Sequence, residues 1–179
     1  MAESFEAMLT GGHPNSLGRT VEVVEQVLAE PGRFDELFAC YGSHNAVVRL
    51  RTSSAMKRVE AGRHGLLVPY IDRFIEEIGA LDQASAQWTL AQLFARLADD
   101  MDERQRAGAL RIMKRNLAHH QDWIVLNMTM ETLADWAMDE PALKEWLGPH
   151  LQRLTADKRK SVASKAAKKL HMLSVGQAR

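Results

Sequence analysis

Few residues in this chain stand at the spacings that chemistry requires. His119 and His120 precede Gln121 and Asp122, residue types that can hold a divalent metal. Neighbouring residues on a helix project about 100° apart, so the two imidazoles cannot close on one ion. No histidine pair at i,i+4 supports them, and a turn between helices accounts for the cluster. The glycine-rich stretch Gly11-Gly12-His13-Pro14-Asn15-Ser16-Leu17-Gly18-Arg19-Thr20 precedes a helix, where backbone N–H groups can receive a phosphate. A nucleotide loop also needs a strand before it and Gly-Lys-Ser/Thr at its end, and neither is present. The stretch reads as a surface loop with Asn15 or Ser16 capping the helix behind it. Asp99, Asp100, Asp102 and Glu103 lack the ligand spacing and central glycine of a calcium loop. Asp102 is placed instead to cap a helix. Cys40 is the only cysteine, which excludes an intrachain disulfide framework and a cysteine-based zinc cluster. No catalytic constellation, cofactor motif or small-molecule site emerges, so the chain is expected to be non-enzymatic and to bind neither cofactor nor metal.

What the chain does carry is a beat. Leu37, Ile75, Met113 and Leu151 stand 38 positions apart, and Met56, Phe94, Leu133 and Leu170 follow at steps of 38, 39 and 37. Val48, Ala86, Ile124 and Val162 keep 38-residue steps, as do Thr52, Leu90, Met128 and Ala166. The second set of each unit trails the first by about half a period, which indicates two helices per repeat and four repeats. Units of this size cannot bury their apolar faces alone and must stack on a neighbour.

The helices that carry this beat are delimited by their breakers. The five prolines are Pro14, Pro31, Pro69, Pro141 and Pro149, and they read as boundary or first-turn residues. Residues 1–30 are expected to hold a weak helix from Glu3 to Leu9, the glycine-rich loop, and a cap helix with a stripe of Leu17, Val21, Val24, Val27 and Leu28. The array then covers 31–173 in units 31–62, 66–98, 103–138 and 141–173. Their helices pair Pro31–Tyr41 with Asn45–Ala61, Leu66–Ile78 with Asp82–Ala98, Glu103–Leu117 with Gln121–Met138, and Pro141–Leu154 with Lys158–Leu173. Gly62 is expected to cap the second helix of unit one. Residues 174–179 should fray.

The second helix of unit one, Val47-Val48-Arg49-Leu50-Arg51-Thr52-Ser53-Ser54-Ala55-Met56, resembles the Val-Arg, small residue, Ala-Leu pattern of HEAT repeats. Thr52, Ala55 and Met56 occupy the small, Ala and Leu slots, and Pro31, Pro69 and Pro149 fit the first-helix proline. Units two to four lack the arginine. The resemblance covers about 31–173 and implies an all-α, right-handed α-α superhelix of about four HEAT-like pairs behind an N-terminal cap helix. It also implies a scaffold or adaptor role, with a protein or peptide bound along the concave face formed by the second helices.

Polar residues that the repeat register leaves outward on those helices are the expected contacts: Arg51, Arg58, Gln87, Asn127, Glu131 and Lys165. Their mixed charge would make association sensitive to salt. The alternative is nucleic-acid binding through basic terminal helices, since Lys158, Arg159, Lys160, Lys165, Lys168 and Lys169 crowd the last one. In the extreme, the resemblance extends to HEAT-like DNA glycosylases, whose aromatic and Asp residues would here be represented by Trp136 and Asp135. Against it, the helix that carries Trp136 is acidic and repels phosphates. Of the four tryptophans, Trp88, Trp123, Trp136 and Trp146, most are expected in the core. Lys plus Arg and Asp plus Glu are both 23, so global charge favours no polyanion. Neither a signal peptide nor an apolar run long enough to span a bilayer is evident, and a cytoplasmic location is the expectation.

Overall fold

A computed structural model describes residues 3–175, and among them every regular element is helical. The chain divides into two compact units, Met1–Leu93 and Phe94–Arg179. None of the described helices is long and apolar enough to cross a membrane.

The first unit opens with α1 (Phe5–Leu9), capped by the Ser4 hydroxyl, and α2 (Thr20–Ala29). α2 starts later than the apolar spacing suggests. Its buried stripe is Thr20, Val23, Val24 and Val27, while Leu17 and Val21 are each 43% exposed. Residues Asn15 and Ser16 do not cap it, because Ser16 turns back to the His13 carbonyl at 2.9 Å. α3 (Phe34–Ala39) and α5 (Ile71–Glu76) are only six residues each and are framed by 3-10 turns at Pro31–Arg33, Cys40–Gly42, Val68–Tyr70 and Ile78–Ala80. Pro31 and Pro69 cannot donate to a preceding turn, and Gly42 and Gly79 weaken helix propagation, so the tighter pattern takes over. α4 (Ala46–Gly62) is capped by Asn45, whose side chain accepts from the Val47 N–H at 2.9 Å. Gly62 is its last helical residue rather than its cap. Its missing side chain leaves room for Leu28, whose Cδ1 would lie 2.9 Å from a Cβ there. α6 (Ala84–Arg96) carries the boundary between the units.

The second unit comprises α7 (Glu103–His119), α8 (Trp123–Trp136), α9 (Pro141–Leu154) and α10 (Lys160–Val175). Asp102 and Gln105 form a reciprocal capping box on α7, and Asp122 caps α8. Pro141 opens α9, but Pro149 lies inside it rather than at a boundary. α10 runs through Ser174 and Val175, which were expected to fray; residues 176–179 lie outside the described part.

Burial follows the repeat with one change of register. Leu37, Ile75, Met113 and Leu151 are all buried. On the second helices the buried sets are Val48, Ala86, Val125 and Val162, and Thr52, Leu90, Thr129 and Ala166. Ile124 and Met128, which strict 38-residue steps select, are half-buried. α8 therefore keeps the 38, 39, 37 steps of Met56, Phe94, Leu133 and Leu170 throughout.

In each unit, ties about one period long join like helices side by side. Asp35 of α3 meets Arg73 of α5 at 3.2 Å, and the Phe38 and Phe74 rings lie 5.3 Å apart. Between α4 and the entry to α6, Arg49 donates to the Gln83 side chain at 2.6 Å, and Gln83 donates to the Ala46 carbonyl at 3.2 Å. In the second unit Arg106 of α7 pairs with Glu140 at 2.5 Å, Lys114 sits 5.0 Å over Trp146 of α9, and Arg153 donates to the Leu117 carbonyl at 3.1 Å. α8 and α10 are joined by Glu131 with Lys165 at 2.6 Å and by Asp135 with Lys169 at 3.4 Å. The order of the ties shows that α3 and α5, α7 and α9, and α8 and α10 run parallel.

Candidate partner-binding surface

Three of the six residues expected to face a partner are buried. Arg51 is 2% exposed and donates five hydrogen bonds. Nη1 donates to the Leu9 and Gly11 carbonyls at 2.7 and 2.6 Å, Nη2 to the His13 carbonyl and Ser16 hydroxyl at 3.1 and 3.3 Å, and Nε to the Ser16 carbonyl at 3.1 Å. All five guanidinium N–H groups are thus engaged. No carboxylate among the described residues pairs with it. The loop from Leu9 to Gly18 is wrapped on this one side chain. Gly18 is where the wrap is tightest: its φ is +52°, and a Cβ would lie 2.8 Å from Arg51 Cζ. Arg51 is a staple with no donor left for a ligand.

Gln87 is 3% exposed, and its amide donates to the Leu81 carbonyl at 2.8 Å and to those of Ile78 and Gly79 at longer range. It closes the connection between α5 and α6. Asn127 is 5% exposed, with Nδ2 3.5 Å from the Ser161 hydroxyl between α8 and α10. Glu131 lies between Lys165 and Lys169 on α10. Burial pulls its carboxyl upward, but the hydrogen bonds from both lysines outweigh that and hold it below the usual carboxylate range. Glu131 and Lys165 are therefore partners of each other, although both remain partly exposed. Arg58 alone of the six stands outward as expected.

The side of α4 that stays accessible carries Leu50, Ser54, Lys57 and Arg58. With Trp88 of α6 and the loop at Pro14–Leu17, most of this strip encloses a groove of about 310 Å³. Comparison with protein-family models, curated proteins and solved structures finds no match to the chain. The groove and its rim offer the Trp88 ring of α6, the aliphatic Leu50 and two basic side chains, Lys57 and Arg58, along α4.

The other sequence candidates are occupied locally. His120 Nδ1 accepts from the Asp122 N–H at 3.0 Å, ordering the turn before α8. Among the described residues no three His, Cys, Asp or Glu side chains converge as metal ligands. Trp136 is buried beneath Arg106, whose Cζ lies 3.9 Å from the ring centroid, whereas Asp135 is exposed toward Lys169. The pair does not form one wall. Trp123 is half exposed at the start of α8. Cys40 is buried, and burial first, then Glu6 and Glu36, pushes its thiol up to about 12, so it is an inert protonated group at neutral pH. On α10, Lys165 and Lys169 are paired with Glu131 and Asp135, and just before the helix Arg159 is held by Asp157 at 2.7 Å. Half of that basic crowding is thus internal pairing, while Lys158, Lys160 and Lys168 stay exposed.

Helical periodicity could have found Arg51, since Val48, Arg51, Thr52 and Ala55 follow an i, i+3, i+4, i+7 stripe. For Asn127 no such signal exists, because α8 is buried nearly all round.

Proposed function

We propose that the chain is a non-enzymatic HEAT-like repeat module, a right-handed array of helical pairs, that docks a protein or peptide along its second helices. The observation that supports this reading is the series of parallel ties one period apart, α3 with α5, α7 with α9 and α8 with α10. Such ties are what stacking of successive repeats produces. The contact residues are Leu50, Ser54, Lys57, Arg58 and Trp88, in place of the buried Arg51, Gln87 and Asn127. An occupant suited to them has an apolar side chain for Trp88 and Leu50 and carboxylates for Lys57 and Arg58, which favours an acidic, amphipathic segment.

The test places a photo-crosslinking residue at Ser54 and, as control, at the exposed Glu76. A partner captured from Ser54, absent from Glu76, and lost on Arg58→Glu with Trp88→Ala supports the reading. Equal capture from both positions, or capture indifferent to those substitutions, removes it.

A further inference from the structure

Among the described residues, the second unit carries a further groove. α9 and α10 enclose a cavity of about 820 Å³, with Lys144, Gly148 and Gln152 on one wall and Ala167, Leu170 and Leu173 on the other. One period earlier the same positions are Arg106, Leu110 and Lys114 on α7, and Met130, Leu133 and Trp136 on α8. There α9 and α10 pack on α8, and Met130 and Leu133 are fully buried. Ala167, by contrast, is exposed and Leu170 half-exposed, while Leu173, like Trp136, is buried. A Cβ built at Gly148 meets nothing within 4 Å outside its own helix.

The preceding layer also shows what such a groove takes. Glu140, just before α9, meets Arg106, Trp146 lies under Lys114, and Leu143, Leu147, Leu151 and Leu154 are buried. We infer that the α9–α10 groove is a docking site for an amphipathic helix of a partner protein, built like α9: a carboxylate at its N-terminal end for Lys144, then leucines at helical spacing over Ala167 and Leu170. A second copy of this chain cannot offer α9 itself, because that leucine stripe is already buried in its own unit. The inference rests on the layering of the second unit and is independent of whether the strip on α4 binds anything.

The probe is a helix-stapled, fluorescein-labelled peptide of residues 139–156, titrated against the full chain by anisotropy. Saturable binding is expected, weakened about tenfold or more by Lys144→Glu and by Leu170→Glu, with circular dichroism confirming that each variant is folded. A peptide bearing Glu140→Lys should recover binding to the Lys144→Glu protein, a result that loss of folding cannot mimic. Absence of saturation overturns the proposal, as does weakening by Arg106→Glu in place of Lys144→Glu, which would mean that the peptide replaces α9. Sedimentation that shows a wild-type dimer dissolved by Leu170→Glu overturns the chosen occupant.

Discussion

Replacing Arg51 by methionine separates a structural staple from a ligand contact. The substitution keeps most of the apolar stem and removes five N–H donors from the Leu9, Gly11, His13 and Ser16 acceptors. Hydrogen bonds to a charged group are each worth about 1.5–3 kcal/mol. Their sum overstates the loss, because a buried charge without a counter-ion carries a desolvation cost of several kcal/mol that the methionine does not. Residues 11–18 are exposed, so water can take over those acceptors, whereas Leu9 is fully buried and its carbonyl is left unsatisfied. The balance is a loss of about 3 kcal/mol. For a chain of this size that lowers Tm by roughly 6–12 °C. Arg51→Lys should cost about half as much, since an ammonium has three donors and no planar fork. Thermal unfolding by circular dichroism reads the first effect, and trypsin cleavage at Arg19 reads release of the loop. A Tm unchanged within about 2 °C with undiminished protection of Arg19 would refute the staple. Loss of partner capture at unchanged stability would make Arg51 a contact residue after all.

Three further outcomes follow from particular contacts. Pro149 sits inside α9, where it cannot donate to the Glu145 carbonyl, and its side chain is exposed; Pro149→Ala should therefore stabilise the chain by about 1–2 kcal/mol, seen as a higher urea midpoint. A lower midpoint would contradict that account. His150 lies 4.1 Å from Trp146, and burial first, then Arg153 and His119, hold its imidazole below the ordinary value. The unfolded chain binds that proton more tightly, so His150 favours folding fully above about pH 6.5 and less as pH falls below it. His150→Gln should flatten stability between about pH 7 and 5, and an NMR titration midpoint above about 6.5 would reverse the sign. Finally, because Arg159, Lys165 and Lys169 are paired within the fold and only Lys158, Lys160 and Lys168 stay exposed there, a labelled DNA duplex should show at most a shallow loss of affinity between two salt concentrations. A steep slope abolished by Lys158→Glu with Lys168→Glu would favour the nucleic-acid alternative.

How far the sequence could be read depended on how many turns each element had. α9 was expected at Pro141–Leu154 and is found there, because Leu143, Leu147, Leu151 and Leu154 mark three full turns after a proline start. α3 and α5, with six residues each, gave periodicity too little length to show where helix passes into 3-10 turn. The one-residue register change in α8 was present in the step to Leu133, but apolar Ile124 and Met128 disguised it in the other columns. The candidate site was less legible for a different reason: polarity of a residue does not make it exposed. On a middle helix such as α8, packed against α7, α9 and α10, little outside remains, so a polar side chain such as Asn127 is buried against a neighbouring helix, near the Ser161 hydroxyl. Arg51 lies on the stripe of Val48, Thr52 and Ala55, and angular position outranks residue type. Applied consistently, the same rule selects the strip opposite that stripe, Leu50, Ser54 and Arg58 at i, i+4, i+8, as the part of α4 that a partner can reach.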